Sequence, residues 1–309
     1  MNAELGPNFE PSRRDFLRLA LGLSGAVALG MMTGCDTMPD TTGEVQQPKG
    51  NFETKTSWEQ DFSTLQDGPI DQTIWTYETD PVVPGYNQEE QGYTKNRENV
   101  RIEGGRLIIE AHREPYTYPD DPAHHYEITS GWIDTRDSFT FEYGKIEARL
   151  KLPEGKGTWP AFWMLSANNP YTSNVKWNES DERFYMHDGE LDILEAYGNS
   201  PGQIEATVHT HAKSQEKRIM LPDSEDGFHT YGVEVTPTGI VWTLDGTPYY
   251  EVRKPSENPD EWPFGNGNKF YAILNLAMGG SGGGKIDSAM DTWRMEVESI
   301  KFYDFTDPR

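Results

Sequence analysis

The stretch Asp188-Gly-Glu190-Leu-Asp192-Ile-Leu-Glu195-Ala-Tyr-Gly198 sets three acids among apolar residues of good strand propensity. Side chains alternate along a strand, so Glu190 and Asp192 share a face. Glu195 is five positions from Glu190, which in a regular strand puts it on the opposite face. One extra residue in a β-bulge returns it to the shared face, and bulges commonly re-aim side chains beside active sites. Retaining glycosidases use two carboxyls about 5–5.5 Å apart, one as nucleophile and one as acid/base. Four strand steps separate the Cα atoms by roughly 13 Å, a gap that two long Glu side chains on a concave sheet can close. Asp192 lies between them. It can hydrogen-bond the nucleophile and hold part of its charge, while mutual repulsion keeps the acid/base protonated. Two other readings fit the same spacing: a solvated acidic face, or an oxygen set for Ca²⁺.

The elements that must position these acids read as strands. Lys145-Ile-Glu-Ala-Arg-Leu-Lys-Leu152 alternates, with Ile146, Ala148, Leu150 and Leu152 on one face. Arg106 to His112 and Ile204 to His211 alternate as well. Tyr231, Val233 and Val235 form a half-buried strand, Pro237-Thr-Gly239 turns the chain, and Ile240, Trp242 and Leu244 return it. Asp245-Gly246 is a hairpin signal. Phe270–Leu276 and Ser299–Phe305 supply two late strands, and a short helix fits the loop Asn168–Asp188. Many short antiparallel strands joined by Gly, Asp and Pro turns make the fold class all-β, a β-sandwich or jelly roll.

Length and composition narrow the function. The chain has 309 residues, 51 acids against 27 bases, a net charge of −24 and one cysteine. Nucleic acid is not expected as a partner, because its phosphates would be repelled. The lone cysteine excludes an intrachain disulfide. His209 and His211 sit two apart and could be read as a metal pair, but a sugar contact suits His209 better and a plain surface position suits His211. Asn275 to Gly284 ends a strand in a glycine cluster without the Lys-Ser/Thr of a phosphate loop.

The N-terminus reads as an address. Ser12-Arg-Arg-Asp-Phe-Leu-Arg18 precedes an apolar, Gly/Ala-rich run from Leu19 to Met32, which ends in Thr33-Gly34-Cys35. A twin arginine, a modest apolar segment and small residues before a cysteine form an export signal of the twin-arginine type with a lipobox. Residues 1–35 are accordingly assigned as signal, with Cys35 the lipidated residue; residues 36–56 are a polar tether, and 57–309 the catalytic domain. The expected location is periplasmic or cell-surface, lipid-anchored to the membrane, and otherwise secreted.

Glu190-Leu-Asp192-Ile-Leu-Glu195 resembles the Glu-x-Asp-x-x-Glu signature of glycoside hydrolase family 16. Asn87-Gln-Glu89-Glu-Gln91-Gly-Tyr93-Thr94, Tyr143–Pro153, Gly157-Thr-Trp-Pro-Ala-Phe-Trp-Met-Leu165, Phe228–Tyr231 and Phe270–Gly280 are similar, in order, to its laminarinase-like branch. The resemblance implies a jelly-roll sandwich of two antiparallel sheets with an open concave cleft. It implies retaining, endo-acting hydrolysis of a β-linked polysaccharide, most simply β-1,3-glucan or mixed-linkage glucan, by a monomer that needs no cofactor for catalysis. By the same resemblance Glu190 is nucleophile, Asp192 the assisting carboxylate and Glu195 acid/base. Asn87, Glu89, Trp132, Trp159, Trp163 and His209 match substrate positions, and aromatic faces stack well on sugar rings. Asp61, Gly105 and Glu298 match a structural Ca²⁺ site on the convex face, with Glu298 where Asp is usual. Thr129-Ser-Gly-Trp132 departs from the laminarinase pattern, which commonly has Arg at the Trp132 position. A glycanase of bacterial exopolysaccharide or algal galactan is therefore the alternative enzyme, and a non-catalytic glycan-binding jelly roll the alternative of another class.

Overall fold

Seven strands carry the acids, and eleven more stand behind them. The computed structural model describes residues 51–79, 87–168 and 188–306. The export signal with Cys35, the tether up to residue 50 and the short helix expected between 168 and 188 lie outside the described residues. The seven-stranded sheet runs, from one edge to the other, Ser214–Met220, Gln203–His209, Glu190–Ala196, Thr158–Ser166, Phe270–Met278, Trp132–Asp134 and Thr76–Tyr77. The eleven-stranded sheet follows the path Thr247–Arg253, Gly239–Leu244, His229–Thr236, Gly144–Lys151, Thr292–Thr306, Arg106–His112, Ile128–Ser130 and Gln91–Tyr93. Asn51–Phe52 and Trp58–Asp61 also pair with Thr292–Thr306, and Val100–Glu103 with Arg106–His112. The sheet thus begins at Asn51, inside the stretch read as tether. A separate hairpin pairs Tyr116–Tyr118 with Asp121–Tyr126.

Pairing is antiparallel throughout both large sheets except where Gln91–Tyr93 runs parallel to Ile128–Ser130. The Asp245-Gly246 signal is a hairpin turn whose two central residues both have positive φ, 49° and 75°, as a two-residue turn matching strand twist requires. The alternation seen in the sequence is the burial pattern: Ile146, Ala148, Leu150, Val233, Val235, Ile240 and Trp242 are all inside.

The two sheets share one core. From the seven-stranded sheet it takes Leu191, Ile193, Leu194, Phe162, Met164, Ala206, Val208, Leu274 and Leu276; from the other it takes Ile109, Ile146, Leu150, Val233, Trp242, Val297 and Ile300. Each large aliphatic side chain buried there contributes about 1.5–3 kcal/mol. Trp242 also donates its indole N–H to the Asp192 carbonyl at 2.8 Å, tying the far sheet to the middle of the acidic strand. A smaller apolar cluster of Tyr93, Trp132, Leu165, Tyr271 and Ile273, with Trp163 against it, lies on the other side of the seven-stranded sheet. That outer face carries the site.

Candidate active site

Register assembles the acids. Glu190 stands opposite Leu165 on one neighbouring strand and His209 on the other; Asp192 is opposite Trp163 and Thr207; Glu195 is opposite Ala161 and Glu205. The register shifts between Asp192 and Glu195, and against Phe162–Trp163 the unmatched residue is Ile193. The bulge sends Ile193 and Leu194, both about 1% exposed, into the core in succession. It thereby brings Glu195 back to the face of Glu190 and Asp192, as the spacing required. Glu190 and Asp192 are 8% and 3% exposed; Glu195 is half-buried.

Their surroundings separate their chemistry. Loss of water around Glu195, together with the Asp192 charge, pushes its carboxyl up to about 8; Glu205 adds to the rise, while the Trp159 indole and His209 work against it. A carboxyl so placed keeps its proton at neutral pH and can give it to a leaving oxygen. Trp159 Nε1 donates to Glu195 Oε1 at 2.8 Å, which aims the acid. The ring of Trp159 is held in turn by the helical turn Gly280–Gly283, which the glycine cluster forms. A Cβ on Gly282 would come within 2.5 Å of the Trp159 ring, so only glycine lets the chain lie this close.

Every substrate position expected from the sequence lies on or beside this face. Trp159 and Trp163 share it, as four-residue spacing in a strand demands. Trp163 Nε1 donates to Asn275 Oδ1 at 2.8 Å, and Asn275 Nδ2 donates to the Tyr93 hydroxyl at 3.0 Å. Trp132 is not between the sheets, where its neighbour Ile133 is found. It packs edge-on against Trp163 and Tyr93, with ring centroids 5.1 and 5.5 Å away, and no protein group accepts from its buried Nε1 among the described residues. Asn87 and Glu89 belong to a segment that docks on the glycine turn. Ser281 N donates to Asn87 O, and Glu89 bridges to Gly279. Burial raises the Glu89 carboxyl, which accepts from Gln91 Nε2 at 2.7 Å and more weakly from Asn87 Nδ2 at 3.4 Å. His209 lies against the acids, with Nε2 3.1 Å from Asp192 Oδ2 and 3.7 Å from Glu190 Oε1. His211 leaves this face, because the strand ends at His209; its ring is 3.9 Å from Asp260.

Two groups could be considered for metals. Glu190, Asp192 and His209 offer atoms within 4.8 Å of one another, and the acids' charges beside His209 favour its imidazolium over the neutral ring a metal would need. Asp61, Gly105 and Glu298 line one groove, as expected, and so do Arg106 and Lys301. Asp61 Oδ1 accepts from Ser63 N and Oγ, and Glu298 is bound by Arg149 at 2.7 Å. With one oxygen of each carboxylate engaged and two cations in the groove, this donor set is a poor match for a hard dication, which takes about six to eight oxygens, carbonyls and waters among them.

The sequence reading missed several members of the face. Glu205 is 5% exposed beside Glu195 and ion-paired with Arg218. Its signal was present, since Glu205, Thr207 and His209 alternate with buried Ile204, Ala206 and Val208. Asn275, a polar residue inside the apolar run Phe270–Met278, was also visible. Gln91 stood in the Asn87–Thr94 motif without a role assigned to it, and Ser214 carried no signal of its own.

Comparison with known proteins agrees with this geometry. The sequence profile of the family described as "Glycosyl hydrolases family 16" matches residues 87–296. A beta-glucanase of Rhodothermus marinus is 33% identical over 296 residues, covering 90% of this chain and 93% of that protein. Glucan endo-1,3-beta-glucosidase A1 of Niallia circulans is 32% identical over 80% of this chain, which spans only 37% of that longer protein. Among solved structures, the laminarinase of Rhodothermus marinus superposes with a TM-score of 0.70 at 32% identity, over 84% of this chain and 100% of that one. SCLam, described as a non-specific endo-beta-1,3(4)-glucanase, gives 0.71 at 31% identity, over 82% and 93%.

Proposed function

Because this chain belongs to glycosyl hydrolase family 16, we propose that it is a retaining endo-glucanase that cleaves β-1,3-glucan of the laminarin type or mixed-linkage glucan. The observation that carries the reading is the bulge at Ile193, which turns three carboxyls to one open face beside Trp159 and Trp163. A glucan chain lies across the face. Glu195 gives its proton to the glycosidic oxygen while Glu190 attacks the anomeric carbon, so the aglycone leaves with the proton and a glycosyl–Glu190 ester forms. Glu195, now a carboxylate, takes a proton from water as that water attacks the same carbon; the ester breaks and both carboxyls return to their starting states. Asp192, held between the two, keeps negative charge beside Glu190 as the ester forms and breaks. The neutral amide of Asn275 and the aromatic rings suit an uncharged sugar.

The relatives' names support the substrate: three of those above are a laminarinase and two β-1,3-acting glucanases. The test is product analysis on laminarin and mixed-linkage β-glucan with the wild-type protein and Glu190→Gln. Oligosaccharides of several lengths with the wild type, and at least about 10⁴-fold less with the variant, are expected. Turnover by the variant at near the wild-type rate overturns the assignment of Glu190, and cleavage only of agarose or another galactan moves the substrate.

We further propose that the twin-arginine motif Ser12–Arg18 exports the protein folded and that Cys35 anchors it to a membrane by lipid. Cys35→Ala is expected to move the protein from the membrane fraction to the soluble one. Unchanged partition would remove the anchor.

A further inference from the structure

Retention as proposed above needs Glu190 ionised, yet the fold sets it two residues from Asp192 on one face, both almost wholly buried. Two anions so close share a proton unless a cation separates them, because ionising the second is opposed by the first. Among the described residues few groups can play that part. Arg218, on the edge strand beyond His209, is engaged by Glu205 and Glu216, and Arg136, just past the strand Trp132–Asp134, by Asp134 and Glu78. Trp159 serves Glu195.

We propose that His209 is a positioning residue that remains an imidazolium through the working pH range and holds Glu190 and Asp192 ionised together, rather than a hand on the sugar. The geometry carries the assignment, and it rests on the glycosidase reading only for its kinetic consequence. His209 is the register partner of Glu190, and its Nε2 lies between the two acids, 3.1 Å from Asp192 Oδ2 and 3.7 Å from Glu190 Oε1. Nδ1 is 2.7 Å from Ser214 Oγ on the next strand, whose hydroxyl can accept. A ring set within ion-pair distance of two carboxylates at Nε2, with a hydroxyl acceptor at Nδ1, is favoured in its charged form. Burial works to lower the His209 pKa, but the Asp192 contact and the charges of Glu190, Asp192 and Glu195 outweigh it and push it up to about 10. Facing it are Glu190, Asp192 and Glu195 from the acidic strand, Glu205 on its own strand, and Glu216 and Arg218 from the strand beyond; anions predominate. A group titrating near 10 does not shuttle protons at neutral pH, so its contribution is charge and placement.

The same cation acts on Glu195, whose carboxyl His209 draws down. Removing the charge therefore has a direction at both ends of the pH profile. His209→Gln keeps a neutral donor of similar reach. It is expected to lower kcat on laminarin tenfold or more while KM changes less than about twofold. The acid limb of kcat/KM should move up by about one pH unit or more, the scale of losing an opposite charge within 4–6 Å, and the alkaline limb should also rise. Ser214→Ala frees Nδ1 and is expected to move the acid limb the same way by less. A raised KM with the acid limb unmoved would make His209 a sugar contact and overturn the proposal.

A second readout does not depend on substrate. Imidazole ¹⁵N shifts of the wild-type protein, with His209→Gln identifying the resonance, should report a doubly protonated ring up to about pH 9. A ring that becomes neutral below pH 8 overturns the proposal even if the enzyme cleaves glucan. If the wild type leaves laminarin intact while the ring stays charged, the substrate reading fails and the assignment of His209 stands.

Discussion

Glu110 and Glu195 are the same residue on opposite sides of the sandwich, and their surroundings give them opposite properties. Glu110 stands on the outer face of the eleven-stranded sheet, 6% exposed. Arg101 and Arg294 reach its carboxylate at 3.0 and 2.5 Å, and His112 lies 3.0 Å away. Burial alone would raise it, but His112 and the two arginines hold it down at about 2. Among the described residues Glu195 has no arginine against it; it has a neutral indole donor and an anionic neighbour, and it rises to about 8. Burial raises both carboxyls, and only at Glu110 do the cations in reach outweigh it, which separates a carboxylate that serves as structure from one that serves as an acid. An overall excess of acids does not decide this, because the cations are placed locally.

The two sites therefore fail at opposite ends of the pH scale. The folded pKa of Glu110 lies below its unfolded value of about 4.5, so its stabilisation is whole above that pH and is lost as pH falls toward about 2. For Glu195 the folded value lies above the unfolded one. Stability linked to its neutral form is whole below about 4.5 and is lost as pH rises through about 8. Activity should follow the second limb, because only protonated Glu195 can serve the leaving oxygen.

The comparison breaks most sharply at Glu195. Glu195→Gln is expected to lower kcat/KM on laminarin by about 10²–10⁴-fold, the usual worth of a general acid/base. It should also abolish the alkaline limb near pH 8. A variant that keeps this limb would show that another group sets it, and Glu195 would lose the role. Next in size is Glu110→Gln, which leaves two arginines facing each other without their carboxylate. The expected loss is about 2–3 kcal/mol in denaturant melts, less than for a fully buried pair because Arg294 is 41% exposed. The activity of the folded fraction should not change. A variant as stable as the wild type would mean the network repacks at no cost, and that Glu110 is not the structural counterpart of Glu195.

Much of this was legible in the sequence, for reasons that differ by level. The strands were legible because both faces of each sheet are chemically distinct, as in Lys145–Leu152 and Ile204–His209. The bulge was legible because the chemistry needed Glu195 on the face that regular alternation denied it. The partners of the acids were harder. Trp159 reads as a sugar platform in isolation, and only the fold sets its N–H on Glu195 and lays Gly282 on its ring. Ser214 is one serine in a polar edge strand until register puts it beside His209. The expected calcium trio does converge on one groove, where Arg106 and Lys301 are sequence neighbours of Gly105 and Glu298, but Arg149, which binds Glu298, arrives from a strand 149 residues away. Alternation can show which face a residue takes; it cannot show which distant cation arrives there.

Trp159 sharpens the comparison by a smaller step. Its N–H stabilises the charged form of Glu195 and so restrains the rise of that carboxyl. Trp159→Phe keeps a ring for Gly282 to rest on and removes the donor. The alkaline limb of kcat/KM should then move further up, by at most about one pH unit, the scale of one hydrogen bond to a charged group. The rate at the optimum should fall less than about tenfold, because the acid itself remains. A limb that moves down would mean the indole holds the neutral acid instead, reversing the electrostatic account.

The smallest effect is expected at the groove of Asp61, Gly105 and Glu298, where the charge balance resembles that around Glu110. Arg149 holds Glu298 at 2.7 Å, Ser63 occupies an oxygen of Asp61, and Arg106 and Lys301 line the same space. A dication entering there would have to displace one guanidinium and face another cation, with few free oxygens to compensate. An ion bound only to the folded state raises stability in proportion to the logarithm of its occupancy, so chelation reads the site directly. EDTA should shift the melting temperature by less than about 1 °C, and added Ca²⁺ should not raise it, whereas acidification toward pH 3 should lower it by releasing Glu110. A drop of several degrees with EDTA, restored by Ca²⁺, would show that the groove yields its ion pairs to a metal. The convex side would then be held by a dication as well as by arginines.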